Sequence, residues 1–98
     1  MNLQKMSEEL SSLGIECVYD EGEYRLYGQT WELYDGFVDT EKILVYINGG
    51  ESKEDQACGI FIDGSGYIVR DSWDSKKKRF SRTEELVAYV LELLDEIS

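Results

Sequence analysis

The sequence predicts an α+β fold, with a largely antiparallel sheet of about five strands between an N-terminal and a C-terminal helix (α-β-β-β-β-β-α). Apolar residues recur every three or four positions at both ends of the chain, which is the spacing of amphipathic helices. Between the ends, short apolar or alternating segments are separated by glycine-containing turns, which is typical of consecutive antiparallel strands. The chain has 98 residues, so residues 1–98 are expected to form a single domain.

The first helix is predicted by four apolar residues, Leu3, Met6, Leu10 and Leu13. Their spacings of three and four place them on one helical stripe. Gly14 follows, and glycine commonly ends a helix because it adopts the left-handed conformation without strain. We therefore expect this helix to end at Leu13.

Five segments have the composition of strands. In the first, Ile15, Cys17 and Tyr19 alternate with the residues between them and share one face. The second is expected to return as a hairpin, and the third is an apolar run typical of a central strand covered on both faces. A turn of Gly64-Ser65-Gly66 joins the last two. The five segments are residues 15–20, 24–34, 42–48, 57–63 and 67–73.

A charged connection is predicted at residues 74–79, followed by the second helix. Ser81 and Glu84 have the spacing of a capping box, and Thr83 is an alternative cap. A wide apolar stripe then predicts a helix that buries a full face against the sheet. The stripe consists of Leu86, Val90, Leu93, Leu94 and Ile97, widened by Val87 and Leu91.

The net charge predicts which partners the chain attracts. There are 21 acidic and 10 basic residues, which gives a formal charge of −11 at pH 7. Such a charge repels duplex nucleic acid and anionic membranes and attracts basic protein surfaces. We therefore expect a protein partner with a basic surface, no duplex nucleic acid and no membrane. The alternative interpretation is that the charge only serves solubility.

The sequence has no recognisable targeting signal, which predicts a cytoplasmic protein with reduced cysteines. Residues 1–13 are amphipathic and do not resemble a signal peptide. No stretch approaches the roughly 20 apolar residues of a membrane span. Cys17 and Cys58 are expected to be reduced thiols. A Cys17–Cys58 disulfide is the less favoured alternative.

The residue combinations of common catalytic and metal sites are missing from the sequence. The chain has no histidine, the usual general base near neutral pH and the commonest transition-metal ligand. Its two cysteines form no CxxC pair. The glycine turns at residues 49–50 and 64–66 precede no helix, unlike a phosphate-binding loop. We expect no catalytic residue, no metal and no cofactor, and an enzyme built on carboxylates, tyrosine or cysteine is the less favoured alternative.

An acidic and aromatic region is predicted to bind the partner. Residues 19–41 hold six of the twelve aromatic residues, interleaved with seven acidic ones. Strand alternation turns some of these rings away from the core, and exposed rings among carboxylates suit a surface rich in lysine and arginine. Core filling is the alternative. The candidate partner-binding residues are Tyr24, Tyr27, Trp31, Glu32, Tyr34 and Asp35.

A basic segment departs from this background. Residues 70–82 hold six basic and two acidic residues, so their net charge is +4, and the remainder of the chain carries −15. The segment precedes a predicted helix N-terminus, which favours anions. The candidate anion-binding residues are Lys76, Lys77, Lys78 and Arg79. A solvated loop is the alternative.

These features predict a small acidic, non-catalytic binding protein: an inhibitor, immunity protein, adaptor or regulator that covers a basic surface through the acidic and aromatic region. In size and charge alone, the chain is similar to small bacterial and phage inhibitors such as toxin-immunity and anti-CRISPR proteins. The alternative is a self-associating structural domain, a homodimer formed through a strand edge at residues 24–34 or 67–73.

Overall fold

Both ends of the chain form the helices that their apolar spacing predicts. The computed structural model describes residues 2–21, 40–49, 53–72 and 76–97. Within these ranges lie two α-helices, five strands and a single 3-10 turn, and the predicted fold class is confirmed. The elements are α1 (Leu3–Ser12), β1 (Glu16–Asp20), β2 (Lys42–Tyr46), the 3-10 turn (Lys53–Asp55), β3 (Gln56–Asp63), β4 (Gly66–Asp71), β5 (Lys77–Phe80) and α2 (Thr83–Ile97).

The strands form one open sheet in which each strand pairs with the next along the chain, in the order β1-β2-β3-β4-β5. All four pairings are antiparallel. Between β2 and β3 the register shifts, because Val45 lies opposite Cys58 whereas Tyr46 lies opposite Gln56. Ala57 is therefore an extra residue on β3, as in a β-bulge.

The fifth strand differs from the prediction. The sequence predicts a charged connection at residues 74–79, but Lys77–Phe80 forms β5. Alternation places Lys78 and Phe80 on one face, and the buried Phe80 ring belongs to the main core. Because four basic residues precede Phe80, the sequence here resembles a charged loop and the strand is not recognised. The predicted strand at residues 24–34 lies outside the described residues.

Each helix begins at a defined cap. The Asn2 side chain accepts a hydrogen bond of 3.0 Å from a backbone N–H in the first turn of α1. In α2 the Leu86 N–H donates to the Arg82 carbonyl at 3.2 Å, which makes Arg82 the N-cap, between the predicted caps Ser81 and Thr83. Neither of these two helices has the length and apolar content needed to cross a membrane.

Helix α1 ends in a Schellman motif. The Gly14 N–H donates to the Ser11 carbonyl at 3.0 Å, and the Ile15 N–H donates to the Leu10 carbonyl at 3.1 Å. Gly14 has a φ of 85°, in the left-handed region. Leu13 is consequently the C-cap and not part of the helix. The predicted place of Leu13 on the helical stripe is wrong, and its side chain is 52% exposed.

Both helices pack against the same face of the sheet. Their buried residues join those of the strands in one cluster, which is the main core. Burying each large apolar side chain contributes about 1.5–3 kcal/mol, so this layer dominates the stability of the fold. The cluster includes Leu3, Met6 and Leu10 of α1, Leu86, Val90 and Leu93 of α2, and Ile15, Ile43, Val45, Ile60 and Val69 near or within the sheet.

Leu91 departs from the predicted helical stripe of α2. Its side chain is 44% exposed, although the sequence places it beside the buried residues. Glu84, Ala88 and Asp95 share one side of the helix with Leu91, and all three are exposed. Leu91 therefore lies at the boundary between the apolar and the charged sides of the helix.

Part of the opposite face of the sheet is buried as well. Leu44, Tyr46 and Phe61 form a second apolar cluster there. Every residue of β2 is buried, which confirms the prediction of a central strand covered on both faces. Lys42 is 1% exposed and Asp20 5% exposed, and 3.9 Å separates Lys42 Nζ from Asp20 Oδ1. A buried ion pair thus accompanies the second cluster.

Replacing Gly14 by Ala is expected to lower the free energy of unfolding by about 1–2 kcal/mol, because a Cβ disfavours a left-handed φ. Crowding is not the cause, since a Cβ there would meet no heavy atom within 4 Å beyond the neighbouring residues. Gly14→Asn is the control and should lose less, because asparagine tolerates this conformation better. Urea unfolding followed by circular dichroism measures both. Equal losses in the two variants would contradict the role of the left-handed φ.

Replacing Lys42 by Met is expected to cost about 3–5 kcal/mol, because it removes the cation from a buried ion pair. It also removes the hydrogen bond of 2.8 Å that Lys42 Nζ donates to the Thr40 carbonyl. The double variant Asp20→Asn/Lys42→Met should be more stable than the sum of the two single losses implies. Urea unfolding of all four proteins completes the cycle. Additive losses would show that the two charges do not interact.

Candidate functional site

The predicted partner-binding residues fall in a part of the chain that the structure does not describe. All of them lie within residues 22–39. Their role stays a prediction. They are Tyr24, Tyr27, Trp31, Glu32, Tyr34 and Asp35.

The four predicted anion-binding residues are exposed, at β5 and immediately before it. Strand alternation directs Lys78 to the face opposite Lys77 and Arg79, so the charged groups do not converge on one point. Glu84 and Glu85 occupy the first turn of α2, where they compete with an external anion for the positive end of the helix dipole. The anion-binding role of Lys76, Lys77, Lys78 and Arg79 stays a prediction.

Arg79 and Lys78 both interact within the fold. Arg79 Nη1 donates to Asp63 Oδ2 at 2.6 Å, and Arg79 Nη2 donates to the Asp63 carbonyl at 2.8 Å. The Lys78 ammonium lies 5.0 Å from the Tyr89 ring centroid and 5.7 Å from that of Phe80, within the range of a cation–π interaction. An anionic ligand would have to compete with both interactions.

The two cysteines lie in one row across the sheet. Cys17 is opposite Val45, and Val45 is opposite Cys58, so a whole strand separates the thiols. Two strand spacings place their Cα atoms about 9.5 Å apart, beyond the roughly 7 Å limit for a disulfide. Both thiols are free. The structure excludes the disulfide alternative.

Burial raises the pKa of both thiols. Cys58 is fully buried, and the Asp71 carboxylate on the neighbouring strand raises its pKa further. For Cys17 the effect of burial outweighs the opposing hydrogen bond with Ser11. Because the thiolate is the nucleophilic form, neither cysteine is activated at neutral pH.

A groove of about 400 Å³ lies between the end of α1, the C-terminal half of α2 and the adjoining ends of β1 and β2. Among the described residues, the large apolar side chains that are exposed are Leu13 and Leu91, and both line this groove. Ile15, Ile47 and Leu94 continue its apolar wall. Side chains from two helices and the sheet thus form one open apolar surface.

The sequence contained signals for this groove that the predicted stripes overlooked. Leu13 directly precedes Gly14, and in a Schellman motif that position is the cap and lies outside the helical face. Leu91 stands in a row with Glu84, Ala88 and Asp95, which marks the edge of the apolar stripe. What the sequence did not show is that the two leucines meet at the same place.

Acidic residues are among those that line the groove. Glu16 and Asp95 both line it, and Glu16 Oε1 accepts a hydrogen bond of 3.1 Å from the Gly49 N–H. Helix α2 holds five acidic residues and no basic one. Three of the acids, Glu92, Asp95 and Glu96, lie near its C-terminus, where negative charge opposes the helix dipole. A cation at this end of the groove would be attracted by the carboxylates and the dipole together.

The free energy of unfolding is expected to fall as the pH rises above about 9. Below the ordinary thiol pKa of 9.0 the folded and unfolded chains both keep the Cys58 proton, so this thiol adds no pH dependence. Above it the unfolded thiol ionises while the buried one stays neutral, which favours unfolding by up to about 1.4 kcal/mol per pH unit. Urea unfolding between about pH 8 and pH 10.5 measures the slope. The Cys58→Ala variant should have a shallower slope, and an identical slope would contradict this origin.

Comparisons of the chain with protein-family models, with curated proteins and with solved structures each find no match.

Proposed function

We propose that the protein is a non-catalytic binding protein that holds a cationic, amphipathic segment of a protein partner in the groove between α1 and α2. The observation that carries this proposal is the meeting of two exposed leucines, Leu13 and Leu91, in a groove bordered by Glu16 and Asp95. Apolar side chains of the segment lie against the leucines, and its lysine or arginine residues face the carboxylates.

The apolar part of the groove provides an anchor. Full burial of a leucine contributes about 1.5–3 kcal/mol, so covering two leucines that are half exposed contributes about 2 kcal/mol in total. A micromolar complex needs about 8 kcal/mol. The two leucines therefore account for part of the affinity, and charge attraction and further contacts supply the remainder.

The net charge determines which partners the protein attracts. The net charge of −11 raises the encounter rate with basic surfaces and opposes duplex nucleic acid and anionic membranes. The row of acids along α2 extends this field beside the groove. The partner is accordingly a basic protein, and its binding weakens as salt screens the charges. The binding role of the acidic and aromatic region, residues 19–41, stays a separate prediction.

Self-association gains no support from the described strands. Strand β4, which covers most of the predicted edge at residues 67–73, pairs with β3 on one side and β5 on the other. Both sides of β4 are thus paired within the molecule, so this strand gives no support to pairing between two copies. The other predicted edge, at residues 24–34, lies outside the described residues. Two copies joined groove to groove would bring their acidic α2 helices together, which like charges oppose.

An enzymatic role is the weaker candidate. The described residues contain no group of three or more cysteine, aspartate and glutamate side chains suited to a metal ion. Burial raises the pKa of both thiols, which disfavours a cysteine nucleophile.

Replacing Leu91 by Asp is expected to weaken binding of a cationic amphipathic peptide about tenfold, because it removes an apolar contact in the groove. The probe is a fluorescein-labelled helix-forming peptide of about 18 leucine and lysine residues, whose apolar and basic faces are separate. Fluorescence anisotropy at low salt measures the Kd. Added negative charge alone would tighten binding of this peptide, so a loss identifies the apolar contact.

The matched control is Ala88→Asp, which adds the same charge at an exposed position on the same helix outside the groove. It should bind the peptide as tightly as the wild type or slightly more tightly. Circular dichroism checks that both variants fold. Equal affinities of the two variants, or no binding by the wild type, would overturn the proposal.

A further inference from the structure

We propose that Glu16 selects the partner's cationic side chain, a lysine or arginine next to the apolar side chain that Leu13 and Leu91 receive. This inference rests on the proposed function and adds a specificity residue to it. The groove thereby recognises a pattern, an apolar residue beside a basic one, in place of positive charge in general.

The first observation is that two depressions meet at Glu16. Beside the apolar groove lies a second depression of about 300 Å³. The residues that line both are Ile15, Glu16 and Tyr46. Ile15 and Tyr46 are buried, whereas Glu16 is exposed. Glu16 is therefore the exposed residue that the two depressions share, and a ligand that extends from one depression into the other passes it.

The second observation is that the Glu16 carboxylate is fixed in place. Its Oε1 accepts the hydrogen bond from the Gly49 N–H. Asn48 and Gly49 both have left-handed φ values, 57° and 68°, in the turn that follows β2. The carboxylate is thus attached both to β1 and to a tight turn, and an ion pair with it costs little additional side-chain entropy.

The two depressions differ in chemistry. The first is walled by leucine and isoleucine side chains. The second is lined by polar groups of Ser11 and Gly49 and by Cys17, whose Sγ lies 3.5 Å from both Ser11 Oγ and the Ser7 carbonyl. A lysine or arginine suits this second depression, because its aliphatic stem can lie along Val18 while its charged end meets Glu16.

The test replaces Glu16 by Gln, which keeps an oxygen that can accept the Gly49 hydrogen bond and removes the charge. Affinity for the leucine–lysine peptide should fall about tenfold, as expected for a lost charge-assisted hydrogen bond. Glu85→Gln removes the same charge from an exposed position on α2 outside both depressions and should change the Kd less than about twofold. Fluorescence anisotropy at about 50 and about 300 mM salt measures both variants.

The outcomes separate this inference from the proposed function. If Leu91→Asp weakens binding while Glu16→Gln behaves like Glu85→Gln, the groove binds the peptide and the assignment of Glu16 is wrong. If Leu91→Asp matches Ala88→Asp, the proposed function fails first. A loss in Glu16→Gln that exceeds the loss in Glu85→Gln at both salt concentrations supports the direct contact, whereas equal losses assign the effect to the general field and overturn the inference.

Discussion

Burial of one apolar face of the sheet beneath two helices is the interaction on which the rest of the structure depends. Ile43, Val45, Ile60 and Val69 are fully buried there. Antiparallel pairing of successive strands puts these residues side by side, so helices from both ends of the chain cover the same surface. The groove lies where the ordered turn at Gly14 ends the first helix and leaves the last turns of the second beside it.

Much of this architecture is encoded locally and could be predicted. Helix spacing, glycine turns and the alternation of Ile15, Cys17 and Tyr19 each follow from a few neighbouring residues. Strand β5 is not predicted because a run of cations resembles a solvated loop, whereas the structure pairs it with β4 and buries Phe80. Cys17 and Cys58 are separated by the strand β2, and this separation depends on strand order, which local patterns do not specify. The meeting of Leu13 and Leu91 likewise depends on how two distant helices end.

Charge has opposite roles in the interior and at the surface. Lys42 and Asp20 are desolvated together, so their value lies in mutual attraction and in the constraint they place on pairing of β1 with β2. The acids of α2 are solvated and oppose their own helix dipole near the C-terminus. The helix holds no basic residue that would offset these acids near its C-terminus. Natural proteins commonly break such local preferences at functional surfaces.

The cations of β5 have a consequence for the behaviour of the protein at high concentration. In the described sheet β5 is an outermost strand, and an outermost strand with unpaired backbone groups can extend into a neighbouring molecule. Three of its four side chains are positively charged. Two copies approaching β5 to β5 would bring these charges face to face, and the repulsion opposes pairing of this strand between molecules.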